Sequence, residues 1–191
     1  MRRWWKWILA VAVLIVAVVL WRCQRGGHAP ARPEEGPQLT LTCPIFSEGE
    51  IIPARYTAEG RNISPPLLWH DAPEGTRTFA IIMQDPDAPV GTFTHWSICE
   101  ISGSRRGLSE GVPPEENVLG SAVQGLNGFR EVGYGGPAPP AGEEHRYYFR
   151  LYALDEKLDM PGGFSKNQLQ AAMRGHVLAQ AELMGRYGRP E

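Results

Sequence analysis

The sequence predicts a mainly β protein, an antiparallel two-sheet β-sandwich with a C-terminal helix. Short runs of alternating apolar and polar residues recur from residue 39 onward. Glycine and proline, 22 and 17 of the 191 residues, separate these runs as turn residues do. One late stretch opens with a helix-capping pattern. Many short strands joined by turns and closed by one helix are typical of a β-sandwich with a small helical addition.

Residues 1–22 predict a membrane-anchor helix ahead of this domain. The run Ile8–Trp21 is apolar throughout, and its fourteen residues cover roughly 21 Å of a hydrocarbon core about 30 Å thick. Tryptophans just before the run extend the expected membrane contact to residues 4–21. A cleaved signal peptide is the alternative, but the nearest Ala-x-Ala motif, at 29–31, lies far beyond the run.

Charges around this segment predict its orientation. Arg2, Arg3 and Lys6 precede the apolar run, and positive charge favours the cytoplasmic side of a membrane. The domain is therefore expected on the extracytoplasmic, periplasmic side. It would be secreted if the segment were cleaved.

Residues 23–38 predict a flexible linker rich in glycine and proline, followed by a domain at 39–191. The first 38 residues hold 6 of the 19 Lys and Arg and 2 of the 21 Asp and Glu. The domain therefore keeps 13 basic and 19 acidic residues, a net charge of −6. Such a domain has no basic patch to displace counterions, so nucleic-acid binding is not expected.

The three cysteines are too few for a disulfide framework. Cys43 and Cys99 either pair outside the cytoplasm or remain two buried free thiols. Free thiols are favoured, because nothing in the spacing demands a bridge and cysteine is often simply buried.

The main predicted strands follow from period-two alternation. They are Leu39–Phe46, Thr78–Met83, Phe93–Ile101 and His145–Leu154. Strict alternation places His95 and Trp96 on opposite faces of the third strand. In the fourth strand it places His145 and Tyr147 on one face and Arg146 on the other.

A helix is predicted from Ser165 to about Tyr187. Ser165 followed by Gln168 three residues later forms a capping-box pattern. Apolar residues then recur at helical spacing. They are Leu169, Met173, Val177 and Ala181.

Two carboxylates and a histidine stand out in the stretch 83–96, MQDPDAPVGTFTHW. Asp85 and Asp87 flank Pro86, which favours extended backbone before it, and residues two apart in extended backbone point to the same side. The next strand then presents His95. Taken alone, the motif DPDAP is more often a simple turn, because Asp and Pro both favour turns.

The stretch Gly133–Asp155 predicts a pocket wall. Its loop begins with Gly135 and Gly136, which permit close backbone approach, and continues with prolines that fix φ. The loop leads into the strand that carries His145 and Tyr147. A stiff loop and a strand face with these two side chains suit the lining of a pocket.

Four motifs in this order resemble the phosphatidylethanolamine-binding protein family, and more narrowly its bacterial Raf-kinase-inhibitor-like members. They are DPDAP at 85–89, THW at 94–96, GYGGPAPPAG at 133–142 and HRYYF at 145–149. The resemblance covers residues 39–191 and none of residues 1–38. It implies a large antiparallel sheet packed on a smaller one, with a C-terminal helix nearby.

The resemblance also implies a ligand-binding pocket for small anions, typically phosphate-like headgroups, with no cofactor. Carried over motif by motif, the expected ligand-binding residues are Asp85, Asp87, His95, Gly136, Pro137, Pro139, His145 and Tyr147. Catalysis is not expected, because no nucleophile stands in a reactive motif. A divalent metal on the Asp and His residues is disfavoured by the proline-rich wall, which supplies few second-shell donors.

An anion beside two aspartates needs compensation, because like charges repel. The carboxylates can keep the histidines protonated, or Arg146 or Arg130 can neutralise the carboxylates. Alternatively, the backbone N–H groups of the Gly135-Gly136 turn and the Tyr147 hydroxyl group can donate to the anion. Arg146 lies opposite His145 in the strand and is expected to brace the loop. A zwitterionic headgroup, with its ammonium near the carboxylates, would also fit.

The sequence departs from the family pattern at two places. Gly128 stands where bacterial members often have Asp, and Glu143 with Glu144 adds negative charge that should disfavour strongly anionic ligands.

The main alternative function is a protease- or kinase-inhibitor module that acts on a protein partner. The second is a weak hydrolase.

Overall fold

Two antiparallel β-sheets pack against each other in the computed structural model, which describes residues 38–191. In chain order the strands are β1 (Thr40–Thr42), β2 (Leu67–His70), β3 (Thr78–Asp85), β4 (Phe93–Ser102), β5 (Gly107–Leu108), β6 (Asn117–Val118), β7 (Ala122–Gln124), β8 (Glu144–Leu154) and β9 (Val177–Gly188). A helix, α1, spans Lys166–Ala172 between β8 and β9. The predicted anchor and all but the last residue of the predicted linker lie outside the described residues. Among residues 38–191, no helix is long and apolar enough to cross a membrane.

The small sheet has the order β1-β2-β5, and the large sheet has the order β6-β7-β4-β3-β8-β9. Every neighbouring pair of strands is antiparallel. The expected architecture, a large antiparallel sheet packed on a smaller one, is therefore confirmed.

Strand β3 is buried along its whole length because both faces of the large sheet are covered at this position. Phe79, Ile81 and Met83 join the core between the two sheets. Ala80 and Ile82 join a second core on the other face, together with Leu169 of α1 and nearby loop residues. A strand between two layers reads as a continuous apolar run, whereas a half-exposed strand alternates.

Strand β8 alternates as predicted. His145, Tyr147 and Phe149 are buried, while Arg146 and Arg150 lie on the more exposed face. This alternation determines which side chains of the HRYYF motif reach the inner side of the sheet.

The helix prediction is wrong beyond residue 172. The capping box at Ser165 is present, but α1 ends at Ala172, and Gly175 follows with φ +83°. Residues 177–188 form β9, which pairs with β8 from Val177 opposite Leu154 to Gly188 opposite Glu144. The cause is long-range: β9 satisfies the backbone groups of β8, which would otherwise remain an unpaired edge.

The predicted alternation in β4 fails at His95, because the strand bulges there. Met83 lies opposite Trp96, yet the next residue, Gln84, lies opposite Thr94, so His95 is an extra residue. Trp96 faces the core between the sheets, and His95 packs against Tyr147 on that same side. A β-bulge often re-aims a side chain beside a functional site, and here it turns His95 inward.

The expectation of two buried free thiols is confirmed. Cys43 and Cys99 are both buried free thiols. Burial raises the pKa of both thiols, so neither is a reactive thiolate at neutral pH.

Candidate ligand-binding site

A cavity of about 200 Å³ opens at the end of the large sheet where β3 ends and where β4 and β8 begin. Its walls are formed by Asp85, Ala88, Pro89, Val90, Phe93, His95, Phe129, Ala138, Pro140 and His145. Sites for drug-sized ligands measure roughly 300–1,000 Å³, so this cavity suits a smaller molecule.

Asp85 and His145 form a buried pair in the cavity wall. The Asp85 Oδ2 atom lies 2.8 Å from His145 Nδ1, and both side chains are only 4% exposed. The other carboxylate oxygen, Oδ1, accepts a hydrogen bond from the backbone N–H of Asp87 at 2.8 Å. The turn after β3 therefore fixes the Asp85 carboxylate, and this carboxylate fixes the orientation of the His145 imidazole.

The second nitrogen of His145 faces another carboxylate. Its Nε2 atom lies 3.2 Å from Oε2 of Glu143, whose side chain is 56% exposed. Burial opposes the charged imidazolium, but the hydrogen bonds to Asp85 and Glu143 outweigh it and raise the pKa of His145 above its ordinary value. With a carboxylate at each nitrogen, His145 is a donor at both.

His95 lies in a different environment. Its ring packs against Phe93, Phe129 and Tyr147, with centroid distances of 4.9, 5.7 and 5.2 Å. Burial lowers the pKa of His95, despite a 2.7 Å hydrogen bond between its Nδ1 atom and the Gly135 carbonyl oxygen. Because a carbonyl oxygen only accepts, Nδ1 carries the proton of the neutral ring, and Nε2 is left as an acceptor.

Asp87 is held on the outer side of β8. The backbone N–H and Nε of Arg146 both donate to Oδ2 of Asp87 at 2.9 Å, and Nη2 donates to Oδ1 at 2.6 Å. These bonds lower the pKa of Asp87 to about 2. Asp87 thus supports the turn after Asp85 and does not line the cavity, and Arg146 braces that turn and not the glycine-proline loop.

The glycine-proline loop shapes the cavity mostly through its backbone. The N–H of Gly136 donates to Oδ1 of Asn62 at 2.7 Å, and the Pro137 carbonyl oxygen accepts from the N–H of Ala58 at 3.0 Å. Gly136, Pro137 and Pro139 are buried away from the cavity lining, to which Ala138 and Pro140 contribute.

The far end of this loop is joined to the last residues of the chain. Gly142 N–H donates to the Arg189 carbonyl oxygen at 2.9 Å, and Arg189 N–H donates to the Glu143 carbonyl oxygen at 3.2 Å. These two bonds place residues 189–191 beside the loop that carries Glu143.

Tyr147 is fully buried beneath His95, and its hydroxyl group makes no close hydrogen bond, although the Ala138 backbone lies beside it. Buried hydroxyl groups are normally paired, so this one keeps free hydrogen-bonding capacity directly behind the cavity wall. The structure therefore brings Asp85, His95 and His145 together in the wall and Tyr147 directly behind it.

The family model described as phosphatidylethanolamine-binding protein matches residues 42–188. The chain belongs to the phosphatidylethanolamine-binding protein family. Relatives in Aquifex aeolicus and Methanothermobacter thermautotrophicus, both named UPF0098 protein, are 49% and 46% identical. The alignments cover 75% and 79% of this chain and 85% and 99% of those proteins.

Solved structures from the same family have the same fold. The homolog CT736 from Chlamydia trachomatis has a TM-score of 0.74 at 41% identity, and covers 80% of this chain and 99% of its own. YbcL of E. coli, described as a member of the mammalian PEBP family, has a TM-score of 0.74 at 30% identity, with coverage of 79% and 98%. The chain is therefore a bacterial-type member of the phosphatidylethanolamine-binding protein family.

The motif comparison with this family missed two aromatic residues that line the cavity. Phe93 opens β4 directly before the THW motif, and Phe129 belongs to the Asn127-Gly128-Phe129 stretch. Their rings stack edge-on at 4.8 Å. Phe93 could have been found from its position directly before the THW motif. Phe129 lies in a loop, where side chains follow no strand periodicity, so the sequence does not mark it as a lining residue.

The Gly128 departure from the bacterial pattern has a structural counterpart. A Cβ atom at residue 128 would lie 2.3 Å from the Phe93 ring, so the ring occupies the space of a side chain. The loop is braced instead by Asn127, whose Oδ1 accepts from the N–H groups of Phe129 and Glu131 at 2.9 and 3.1 Å.

A separate cluster lies at the opposite end of β8. His176 Nδ1 lies 3.0 Å from Oδ1 of Asp155 and 3.2 Å from Oε2 of Glu156. The group is largely exposed and outside the cavity. Its hydrogen bonds tie the start of β9 to the end of β8.

The two cavity histidines should titrate on opposite sides of their ordinary pKa of about 6.5. We expect His145 to titrate above this value and His95 below it, because one ring faces carboxylates and the other faces aromatic rings. Chemical shifts of the ring protons, followed by NMR from pH 4 to 9 and assigned with His→Gln variants, would measure both. The reverse order would contradict the described pairing.

Proposed function

We propose that this member of the family binds, rather than transforms, a small ligand with a phosphate or other anionic group in the cavity. The observation that carries the proposal is the buried Asp85–His145 pair in the cavity wall. The Asp85 carboxylate favours the charged imidazolium, so the wall presents a fixed cationic donor in partly desolvated surroundings, where charge-assisted hydrogen bonds are strong.

The hydrogen-bonding groups favour a ligand that both accepts and donates. His145 Nε2 and the Tyr147 hydroxyl group are donors, whereas neutral His95 offers an acceptor at Nε2. A phosphate monoester in its monoanionic form, or a headgroup with an ammonium, satisfies both kinds of group. A fully deprotonated phosphate would leave His95 Nε2 facing an acceptor unless the ring takes up a proton.

The charges around the cavity favour a zwitterion. Arg146 neutralises Asp87 and His145 neutralises Asp85, which leaves the Glu143 carboxylate beside His145 without a cation of its own. A ligand resembling phosphoethanolamine would present its phosphate to His145 and its ammonium to Glu143.

Isothermal titration of the full chain in non-ionic detergent with phosphoethanolamine, inorganic phosphate and acetate would test this proposal. We expect binding of the phosphate compounds and a loss of at least tenfold in affinity in His145→Ala, about the value of one charge-assisted hydrogen bond. Absence of heat with every anion from pH 5 to 8 would contradict it.

Tyr147→Phe should separate stability from binding. Its hydroxyl group is buried and makes no close hydrogen bond, so its removal should leave the free energy of unfolding unchanged or raise it by about 1 kcal/mol. Ligand affinity should instead fall about tenfold, because the ligand loses a donor. Urea denaturation and the titration above would measure both quantities. A loss of stability, or unchanged affinity, would mean that the hydroxyl group does not await a ligand.

A protein-inhibitor module is the second candidate, and the cavity mouth favours it. Val90 and Phe129 at this mouth are 84% and 45% exposed, and the neighbouring prolines are apolar as well. Such a rim suits an inserted side chain of a protease or kinase. Val90→Asp should abolish inhibition of a partner protease or kinase, because it places a charge where the rim is apolar and exposed.

We also propose that residues 4–21 tether this domain to a membrane on its extracytoplasmic side. The support is the sequence alone, an apolar run with basic residues before it. N-terminal sequencing of the mature protein tests the tether, since a start near Arg32 would mean that the segment is cleaved.

A further inference from the structure

Glu143 occupies the hydrogen-bonding site at His145 Nε2 that an external anion would need. His145 has two donor nitrogens: Nδ1 is bound to Asp85, and Nε2 lies 3.2 Å from Oε2 of Glu143. Both donors are therefore engaged by carboxylates of the chain itself. The Asp85 contact is buried, whereas the Glu143 side chain is 56% exposed and can leave without a large rearrangement.

The neighbouring Glu144 has a different role. Its Oε1 lies 2.7 Å from Nη1 of Arg186 on the adjacent strand β9, so its side chain is engaged away from His145. The two glutamates are adjacent in sequence, but only Glu143 contacts the imidazole. Glu144, the first residue of β8, is therefore a matched control for the loss of one negative charge next to Glu143.

An anion that binds to His145 Nε2 must displace the Glu143 carboxylate but cannot remove it from the site. Glu143 is only two residues from His145, and its backbone is held by Arg189. The displaced carboxylate therefore stays near the bound anion and repels it. A ligand with its own cation beside the anion turns this repulsion into attraction.

We propose that Glu143 is the specificity-determining residue of the cavity: it competes with simple anions for His145 and admits ligands that join an anionic group to a cationic one. This inference rests on the proposed function, since it assumes that the cavity binds an anionic group. It assigns selection among anions to one carboxylate, and it excludes Glu144 from that role.

The test compares Glu143→Gln with Glu144→Gln in the full chain at pH 7 and constant ionic strength. Titrations use inorganic phosphate and phosphoethanolamine. In Glu143→Gln, we expect phosphate to bind on the order of tenfold more tightly, the effect of one like charge removed at close range. Phosphoethanolamine should change by less than about threefold, because relief of repulsion offsets the lost ammonium contact. Glu144→Gln should change neither affinity by more than about twofold, as is usual for an exposed charge.

A measurement without ligand tests the contact itself. The pKa of His145, followed by NMR, should fall in Glu143→Gln and stay near the wild-type value in Glu144→Gln. An unchanged His145 pKa in Glu143→Gln would overturn the inference.

The outcomes separate the inference from the proposed function. If wild type binds phosphoethanolamine but the two variants shift phosphate affinity equally, the inference fails and the proposed function stands. If neither wild type nor Glu143→Gln binds either compound, the proposed function fails and the inference falls with it.

Discussion

Asp85→Ala is expected to lower the free energy of unfolding by about 3 kcal/mol or more, because it leaves a buried charged imidazole without its partner. Both side chains of the Asp85–His145 pair are almost fully buried, so water in the cavity replaces the lost carboxylate poorly. The substitution also removes the acceptor for the Asp87 backbone N–H. Asp85→Asn keeps an acceptor oxygen but not the charge, and should therefore cost less.

The loss of unfolding free energy in Asp85→Ala should depend on pH. The pKa of His145 is raised in the folded protein, so the stabilisation from its pairing is fully present below the unfolded pKa of about 6.5. It is lost as pH rises through the raised folded value. The difference between wild type and Asp85→Ala should thus be larger at pH 6 than at pH 9.

Urea denaturation at the two pH values would measure this difference. Asp87→Asn is the control, because the Asp87–Arg146 pair is exposed and exposed pairs contribute about 1 kcal/mol or less. Equal losses in the Asp85 and Asp87 variants would contradict the division into an inner and an outer carboxylate.

Gly136→Ala is expected to cost about 3 kcal/mol, the upper part of the range for overpacked sites. The new Cβ atom would lie 2.5 Å from the Tyr56 carbonyl oxygen and 2.8 Å from Thr57 Cα. Both atoms are backbone, and the two loops are joined by the bond from Ala58 N–H to the Pro137 carbonyl oxygen. Neither loop can retreat without breaking it.

Gly135→Ala is the matched control. A Cβ atom at residue 135 would lie 2.7 Å from the ring of Phe129, a half-exposed side chain that can rotate away. We expect a loss of about 1 kcal/mol. Thermal denaturation of both variants would measure their stabilities. A smaller loss of stability for Gly136→Ala than for Gly135→Ala would show that the two loops can move apart at little cost.

Local pattern predicted the strands well where one face of the sheet differs from the other. His145–Leu154 was recognisable because polar and apolar residues alternate along it. Residues 177–187 were not, because their apolar residues fit a helical spacing and their partner, β8, lies far away in sequence. The positive φ of Gly175, where the helical pattern is broken, became visible only in the structure.

The site shows the same limit on a smaller scale. Asp85, His95 and His145 were found from their motifs, but Asp87 was placed beside Asp85 on the assumption of extended backbone. Strand β3 ends at Asp85, and the chain bends after it, so Asp87 turns outward to Arg146. A bulge likewise turned His95 inward against the predicted alternation. Neither irregularity has a sequence signature at single-residue scale.

The contact between Arg189 and the Glu143 loop also matters for how this protein is handled in the laboratory. An affinity tag fused after Glu191 would begin beside the loop that carries Glu143. The same position suits a fluorescent reporter: in a Cys23→Ser background, Glu191→Cys would offer a single exposed thiol, because Cys43 and Cys99 are buried. A dye attached there would lie next to Gly142, in the loop that carries Glu143.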